Sequence, residues 1–169
     1  YLEINNILII RGDPGKTENR FKPHPRGHSH AIDLVRQVAD MNRGKYLDNA
    51  LKQHHATNFC MGVAGYPEKH QESPNFQADI KYLKQKVEAG ADYIVTQMFF
   101  NNQYYFDFVK ACREAGIKVP IVPGLKPLTR RKHLNLMPEV FNVSIPADLS
   151  EAVDKAKNDA HIKEIGREW

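Results

Sequence analysis

Short runs of apolar, mostly β-branched residues alternate along the chain with longer segments in which apolar residues recur every three or four positions. The first run, Ile7 to Ile10, predicts a strand buried on both faces, and Arg11-Gly12-Asp13-Pro14-Gly15 ends it abruptly. Prolines, glycines and polar groups fill residues 14–29 and predict a long loop above that strand end. Ile32, Leu34, Val35, Val38 and Ala39 then fall close to helical spacing, giving an amphipathic helix over His30 to Met41. Residues 42–58 read as a polar extension with some helix. Phe59 to Gly65 is a second buried strand, built of small residues, and Phe76 to Ala89 is a helix with one inward face, stopped by Gly90. Tyr93 to Thr96 is the third strand and runs into Gln97. A helix over 103–115 follows and ends at Gly116, and Val119 to Pro123 is the fourth strand. Thr129 is predicted to cap a helix over 130–137, Phe141 to Ile145 to be extended, and Asp148 to cap a polar helix. His161 to Trp169 reads as a further helix.

Strand and helix alternate at the spacing of βα units, too short for a sandwich. Asp13, Tyr66, Gln97 and Gly124 then leave the carboxyl ends of four parallel strands on one rim, where α/β proteins bind ligands. No GxGxxG follows any strand, so the expected fold is α/β, a partial (β/α)8 TIM barrel of parallel strands alternating with helices, rather than a dinucleotide-binding doubly wound sheet. Two readings of Asp13 stand side by side at this point: a charged group placed for chemistry, or a residue making an Asx-turn with Pro14-Gly15.

Composition narrows the function classes. A chain of 169 residues is about one domain and is short for a closed eight-stranded barrel. Its 24 basic and 20 acidic residues are dispersed, so the net charge of +4 forms no basic arm or stripe, and no nucleic-acid partner is expected. No apolar run approaches a membrane span and no signal-peptide pattern is present, so no membrane partner is expected either. Cys60 and Cys112 have no CxxC spacing and read as buried free thiols of a reducing compartment, which predicts a cytoplasmic protein. The histidines His24, His28, His30, His54 and His55 lack cysteine partners and a rigid element beneath them, so they read as solvated loop residues and no metal is expected. A start at Tyr1 and a stop at Trp169 inside a predicted helix suggest a piece of a longer polypeptide.

Five segments in register carry a resemblance. They are RGD at 11–13, AGYPEKH at 64–70, QADIKYLKQKVEAGAD at 77–92, TQMFF at 96–100 and PIVPG at 120–124. Together, along residues 5–146 and apart from the 42–58 insert, they closely resemble the methylenetetrahydrofolate reductase family. The resemblance implies an FAD-dependent (β/α)8 barrel of one-carbon metabolism. Such an enzyme reduces 5,10-methylenetetrahydrofolate to 5-methyltetrahydrofolate with NADH or NADPH, its partners being a folate substrate and a nicotinamide cofactor, and a homo-oligomer is expected. Residues 1–169 would form a single domain, an incomplete fragment of that barrel from which the first strands, with the family's catalytic glutamate, and the last strand are missing. A non-catalytic half-barrel module and a different flavin-dependent barrel enzyme are the rivals.

By that resemblance Asp13 lies beside the flavin ring and is the catalytic residue of this chain. A carboxylate there disfavours an anionic reduced flavin and favours a cationic folate, pushing hydride toward the iminium carbon. Arg11, Gly12, Asp13, His30, Ala31, Tyr66, His70, Ser73, Asp79, Tyr82 and Lys86 match cofactor-binding positions, with Asp79 and Lys86 placed to flank a ribose or phosphate. Asp13, Gln97 and His133 match substrate-binding positions, while Phe99 and Phe100 read as packing. Arg130, Arg131, Lys132 and His133, crowding a predicted helix start, carry two readings: a cluster that receives the glutamate tail of folate, or an ordinary solvated surface.

Overall fold

Four parallel strands, β1 (Asn6–Ile9), β2 (Cys60–Gly65), β3 (Tyr93–Thr96) and β4 (Ile121–Val122), form one sheet in the order β1-β2-β3-β4. The computed structural model describes residues 3–14, 18, 21–48, 50–51 and 54–169. A sheet in which each strand lies beside the next in sequence is an arc of a (β/α) barrel; doubly wound sheets reverse their order at a switch point. The register Ile9↔Val63, Val63↔Ile94 and Ile94↔Ile121 lines these residues up on one face of the sheet. Three helices cover that face: α1 (Ala31–Asn42), α2 (Phe76–Glu88) and α3 (Asn102–Glu114). They complete a core with Val35, Leu83, Phe108, Cys112 and Ile117. A second core, built on Phe100, Leu128, Met137, Leu149, Val153 and Ile162, lies among α4 (His133–Phe141), α5 (Ala147–Asp154) and α6 (Asp159–Glu168).

The helix ends follow local chemistry. Asn75 accepts from the Ala78 N–H at 2.8 Å and opens α2, and Asn101 accepts from the Gln103 N–H at 2.9 Å and opens α3. Gly90 (φ +123°) and Gly116 (φ +84°) follow their ends in the left-handed region, as expected of both. Asp92 then fastens β3 to β2, its carboxylate accepting from the Met61 N–H at 2.7 Å while its own N–H donates to the Met61 carbonyl at 2.8 Å.

Several expectations are overturned. β1 is not buried on both faces: Leu8 is 48% and Ile10 59% exposed, because β1 is a sheet edge and only one face carries helices. Among the described residues of the 42–58 insert there is no helix beyond Asn42. Instead the Asn42 amide clasps the insert's far end, donating to the Phe59 carbonyl (2.9 Å) and accepting from the Phe59 N–H (2.9 Å) and the Thr57 hydroxyl (2.7 Å). β4 shrinks to two residues, although the Pro120 carbonyl still accepts from the Ile94 N–H at 2.9 Å.

Thr129 does not cap α4, which starts three residues later than predicted, at His133. Leu128 is held in the core and Arg131 donates to carbonyls at the end of α5, so residues between them follow tertiary contacts. Phe141 ends α4 and Asn142 (φ +53°) terminates it, so the extended piece expected from Phe141 does not begin there, and residues 143–145 belong to no strand. Asp148 sits inside the first turn of α5 with Pro146 at the cap, and α6 begins earlier than predicted, capped by Asn158, which accepts from the His161 N–H at 3.0 Å.

Two glycines permit close approach. A Cβ on Gly124 would stand 2.1 Å from the Thr96 carbonyl oxygen, and one on Gly166 would stand 2.2 Å from that of Leu128. No described helix is long and apolar enough to cross a membrane.

Candidate functional site

A cavity of about 560 Å3 opens where β1 and β2 end and continues into the groove between α1 and α2. That volume lies in the range of small-molecule sites. Arg11 and Asp13 enter from the exit of β1, His30 and Ala31 from the start of α1, Tyr66, His70 and Ser73 from the exit of β2, and Asp79, Tyr82 and Lys86 from one face of α2. Every residue of the predicted cofactor set except Gly12 therefore lines it, although the set was gathered from four places along the chain. Gly12 is exposed between two lining residues.

The loop after β2 is built to hold its side chains still. Lys69 (φ +78°) turns the chain, and its ammonium donates to the carbonyls of His70 (2.9 Å) and Ser73 (2.8 Å). The Asp79 carboxylate pins that loop to α2, accepting from the His70 N–H at 3.0 Å and from the buried Ser73 hydroxyl at 2.9 Å. Asp79 thus holds the cavity wall with both oxygens. The Glu72 N–H donates to His70 Nδ1 at 3.1 Å, which leaves the proton of a neutral imidazole on Nε2. Burial lowers the His70 pKa, against Asp79 and Glu72, so the ring is neutral at pH 7.

Electrostatics divide the cavity. Burial first, then Asp79 and Asp13, raise the Tyr66 pKa, so its hydroxyl stays a donor; its ring meets His70 edge-on with centroids 4.6 Å apart. Lys86 donates to the Ala64 carbonyl at 2.7 Å, and burial brings its pKa down to about 8 against the pull of Asp79. The Arg11 guanidinium lies over the Phe21 ring, 4.8 Å from its centroid, and pairs with Glu72 at 2.7 Å. That hydrogen bond holds the Glu72 carboxyl below its ordinary value.

Gln97 and His133 do not line this cavity. Gln97 leaves β3 beside the end of β2, its N–H donating to the Gly65 carbonyl at 2.8 Å, and its amide oxygen turns back to accept from the Met98 N–H at 3.0 Å. His133 opens α4, and its Nδ1 accepts from the Thr129 N–H at 3.3 Å. Burial, then Lys126, Lys132 and Arg130, lower its pKa. Of the four basic residues Arg130 to His133, Arg131 donates to the carbonyls of Asp154 (3.1 Å) and Ala156 (2.8 Å) at the end of α5, while Lys132 and His133 stand at the start of α4. Phe99 and Phe100 are buried. Among the described residues no group of three or more histidine, cysteine, aspartate or glutamate side chains converges on a metal position. Sequence reasoning missed Asp33, Arg36, Glu72 and Gln85, which also line the cavity. The available signals were helical spacing from His30 to Asp33 and Arg36 and from Tyr82 to Gln85; Glu72 lies in the loop after β2 and no such spacing marks it.

Comparison with known proteins gives the same family as the motifs. The sequence model described as Methylenetetrahydrofolate reductase matches residues 2–169. The chain is 38% identical over 173 residues to methylenetetrahydrofolate reductase (NADH) 1 of Arabidopsis thaliana, covering 96% of this chain and 27% of that protein. It is 31% identical over 157 residues to the probable methylenetetrahydrofolate reductase (NADPH) of Caenorhabditis elegans, covering 92% of this chain and 21% of that one. A solved structure of an uncharacterized protein from Clostridium thermocellum that binds two copies of 5-methyl-5,6,7,8-tetrahydrofolic acid overlaps 66% of this chain and 41% of that one, with TM-score 0.47 and 23% identity. The chain spans about a quarter of the length of the curated relatives it matches. Since the match runs from residue 2 to the last residue, the chain belongs as a whole to the methylenetetrahydrofolate reductase family.

Proposed function

We propose that this chain is one domain, an arc of a (β/α)8 barrel, and supplies part of the flavin and folate sites of an enzyme reducing 5,10-methylenetetrahydrofolate to 5-methyltetrahydrofolate. The observation that carries the reading is the convergence of Arg11, Asp13, His30, Ala31, Tyr66, His70, Ser73, Asp79, Tyr82 and Lys86 on one cavity. The donor set fits FAD: the cavity pairs cations (Arg11, Lys86) suited to a diphosphate with neutral donors (Tyr66, His70) suited to a heterocycle edge or ribose. When bound, FAD would take hydride from a nicotinamide and deliver it to the folate carbon. Names among the relatives include both NADH and NADPH enzymes, so the reductant is one of these two.

The chain's own residues act around that transfer. Asp13 places a carboxylate on the cavity wall, which stabilises positive charge developing on the folate and makes its one-carbon unit a better hydride acceptor. Arg11, fixed between Phe21 and Glu72, and Lys86, fixed on Ala64, meet anionic groups without first having to be ordered. Gln97 can release its bond to the Met98 N–H and offer an acceptor and a donor to the pterin edge. His133, neutral at pH 7, is the second substrate contact.

The test is made on the intact protein that carries this chain. Purified protein should be yellow, release FAD on denaturation, oxidise NADH or NADPH, and convert methylenetetrahydrofolate to the methyl form. Colourless protein that neither takes up FAD nor oxidises either nucleotide would refute the proposal.

A further inference from the structure

The cavity wall that carries Tyr66 and His70 is anchored from two sides. Asp79 grips it from α2, at His70 and Ser73. The second anchor starts at a tight turn, closed where the Tyr66 carbonyl accepts from the Lys69 N–H at 3.1 Å. Glu68 stands at the corner of that turn, two residues from Tyr66 and two from His70. Pro67 before it is buried, and Lys69 after it is tied down through its ammonium, so the turn is stiff. From this corner the half-buried Glu68 carboxylate reaches the segment between α4 and α5. It accepts from the Ser144 N–H with both oxygens, at 3.1 and 2.9 Å, and from the Ser144 hydroxyl. Ser144 is itself held fast, because Val143 is buried in the second core and Ile145 packs against it. Two donors from one fixed residue thus meet one carboxylate across 76 residues of chain, and hydrogen bonds to such an acceptor are stronger than neutral ones.

A ligand in the cavity meets Tyr66 and His70 as donors, and donors already in place cost less to order on binding. We propose that Glu68 is a positioning residue for this cavity: by gripping Ser144 it holds Tyr66 and His70 where they meet the flavin. The inference rests on the flavin reading for its ligand, but the latch itself is measured without flavin. On the intact protein stripped of flavin, amide exchange would be followed for wild type, Glu68→Ala, Glu68→Gln and Ser144→Ala. FAD would be titrated by fluorescence into the same proteins, and into Tyr66→Phe/His70→Ala with and without Glu68→Ala.

Glu68→Ala should speed exchange about tenfold or more at residues 66–73, leave α3 at wild-type rates, and weaken FAD about five- to tenfold. Glu68→Gln keeps an acceptor oxygen and should recover part of the loss. Ser144→Ala keeps the N–H and should lose about two- to threefold. In the Tyr66→Phe/His70→Ala background, Glu68→Ala should weaken FAD less than about twofold further, since the groups it positions are gone. A full further loss in that background would mean that Glu68 only supports the fold, which overturns the inference. FAD affinity within twofold of wild type in Glu68→Ala, or exchange that speeds uniformly across α2 and α3, overturns it too and leaves the flavin reading intact. Exchange that speeds only at residues 66–73, in a protein that takes up no FAD, supports the positioning of Tyr66 and His70 and refutes the flavin as their ligand.

Discussion

Among single residues, Asp13 and Lys86 make the sharpest claims. Asp13→Asn keeps the shape of the side chain on the cavity wall and removes its charge. In the intact protein FAD affinity should change less than about threefold, while reduction of methylenetetrahydrofolate by the reduced enzyme slows about a hundredfold. Stopped-flow measurement of the two half-reactions separates these, and an unchanged folate step would return Asp13 to the role of a turn residue. Lys86 has a folded pKa of about 8 against 10.5 in the unfolded chain, so between those values the native state binds fewer protons and stability rises with pH. Tyr66 and Cys112, both raised by burial, act in the opposite direction at high pH, so the comparison that isolates Lys86 is wild type against Lys86→Met. Urea titrations should show wild type gaining on the variant from pH 8 to 10.5, by on the order of 3 kcal/mol in all. A pH-independent difference would mean that the lysine is solvated in solution. Arg11, Asp13, Tyr66, His70, Asp79, Tyr82 and Lys86 stand in the motifs, but their hydrogen-bond state was not legible there: nothing in the spelling of AGYPEKH says that Asp79 is occupied twice by its own loop, or that Glu72, outside the motifs, fixes both Arg11 and the tautomer of His70.

Elements with strong local signals fell where the chain said they would. α2 and α3 are bracketed by asparagine caps and left-handed glycines, and β3 matches its apolar run residue for residue. Prediction failed where distant contacts override local preference. The start of α4 is set by Leu128 and Arg131, and the insert after α1 is shaped by Asn42 rather than by its own propensity. Asn42→Ala is the corresponding test. Three hydrogen bonds that close the insert onto the start of β2 disappear at once, leaving the Phe59 N–H and carbonyl without their partner. The cost should be about 1–3 kcal/mol, read as a lowered midpoint of chemical unfolding. Amide exchange should accelerate selectively at residues 43–59. A uniform acceleration across α2 and α3 would show that the clasp supports the whole sheet instead of closing one excursion.

For the whole molecule, the two cores are joined by contacts that no local pattern announces. The Glu68 carboxylate accepts from the Ser144 N–H at 2.9 Å and from its hydroxyl, 76 residues away, and the Trp169 indole donates to the Phe100 carbonyl at 2.6 Å. The first tie brings the α4–α5 region against the loop that carries Tyr66 and His70; the second fastens the end of α6 to Phe100 within the second core. Among the described residues the opposite face of the sheet has no such cover. By strand alternation from Ile9 and Ile121, which face the helices, Leu8, Ile10 and Val122 face away; they are 48%, 59% and 46% exposed, and Leu125 just beyond β4 is 72% exposed. β1 and β4 are the two outer strands of the sheet, so a bare apolar face is flanked by two parallel edges. The 169-residue polypeptide expressed by itself should therefore self-associate. Light scattering coupled to size exclusion should give a mass above 19.4 kDa that grows with concentration. Leu8→Lys with Val122→Lys should shift it toward the monomer, because both changes put charge on the bare face without touching the helix-covered core. Riboflavin or FAD should bind this polypeptide more weakly than the intact protein, since the cavity lies at one edge of an open sheet. A concentration-independent monomer that binds FAD stoichiometrically would show that neither the bare face nor the missing wall matters.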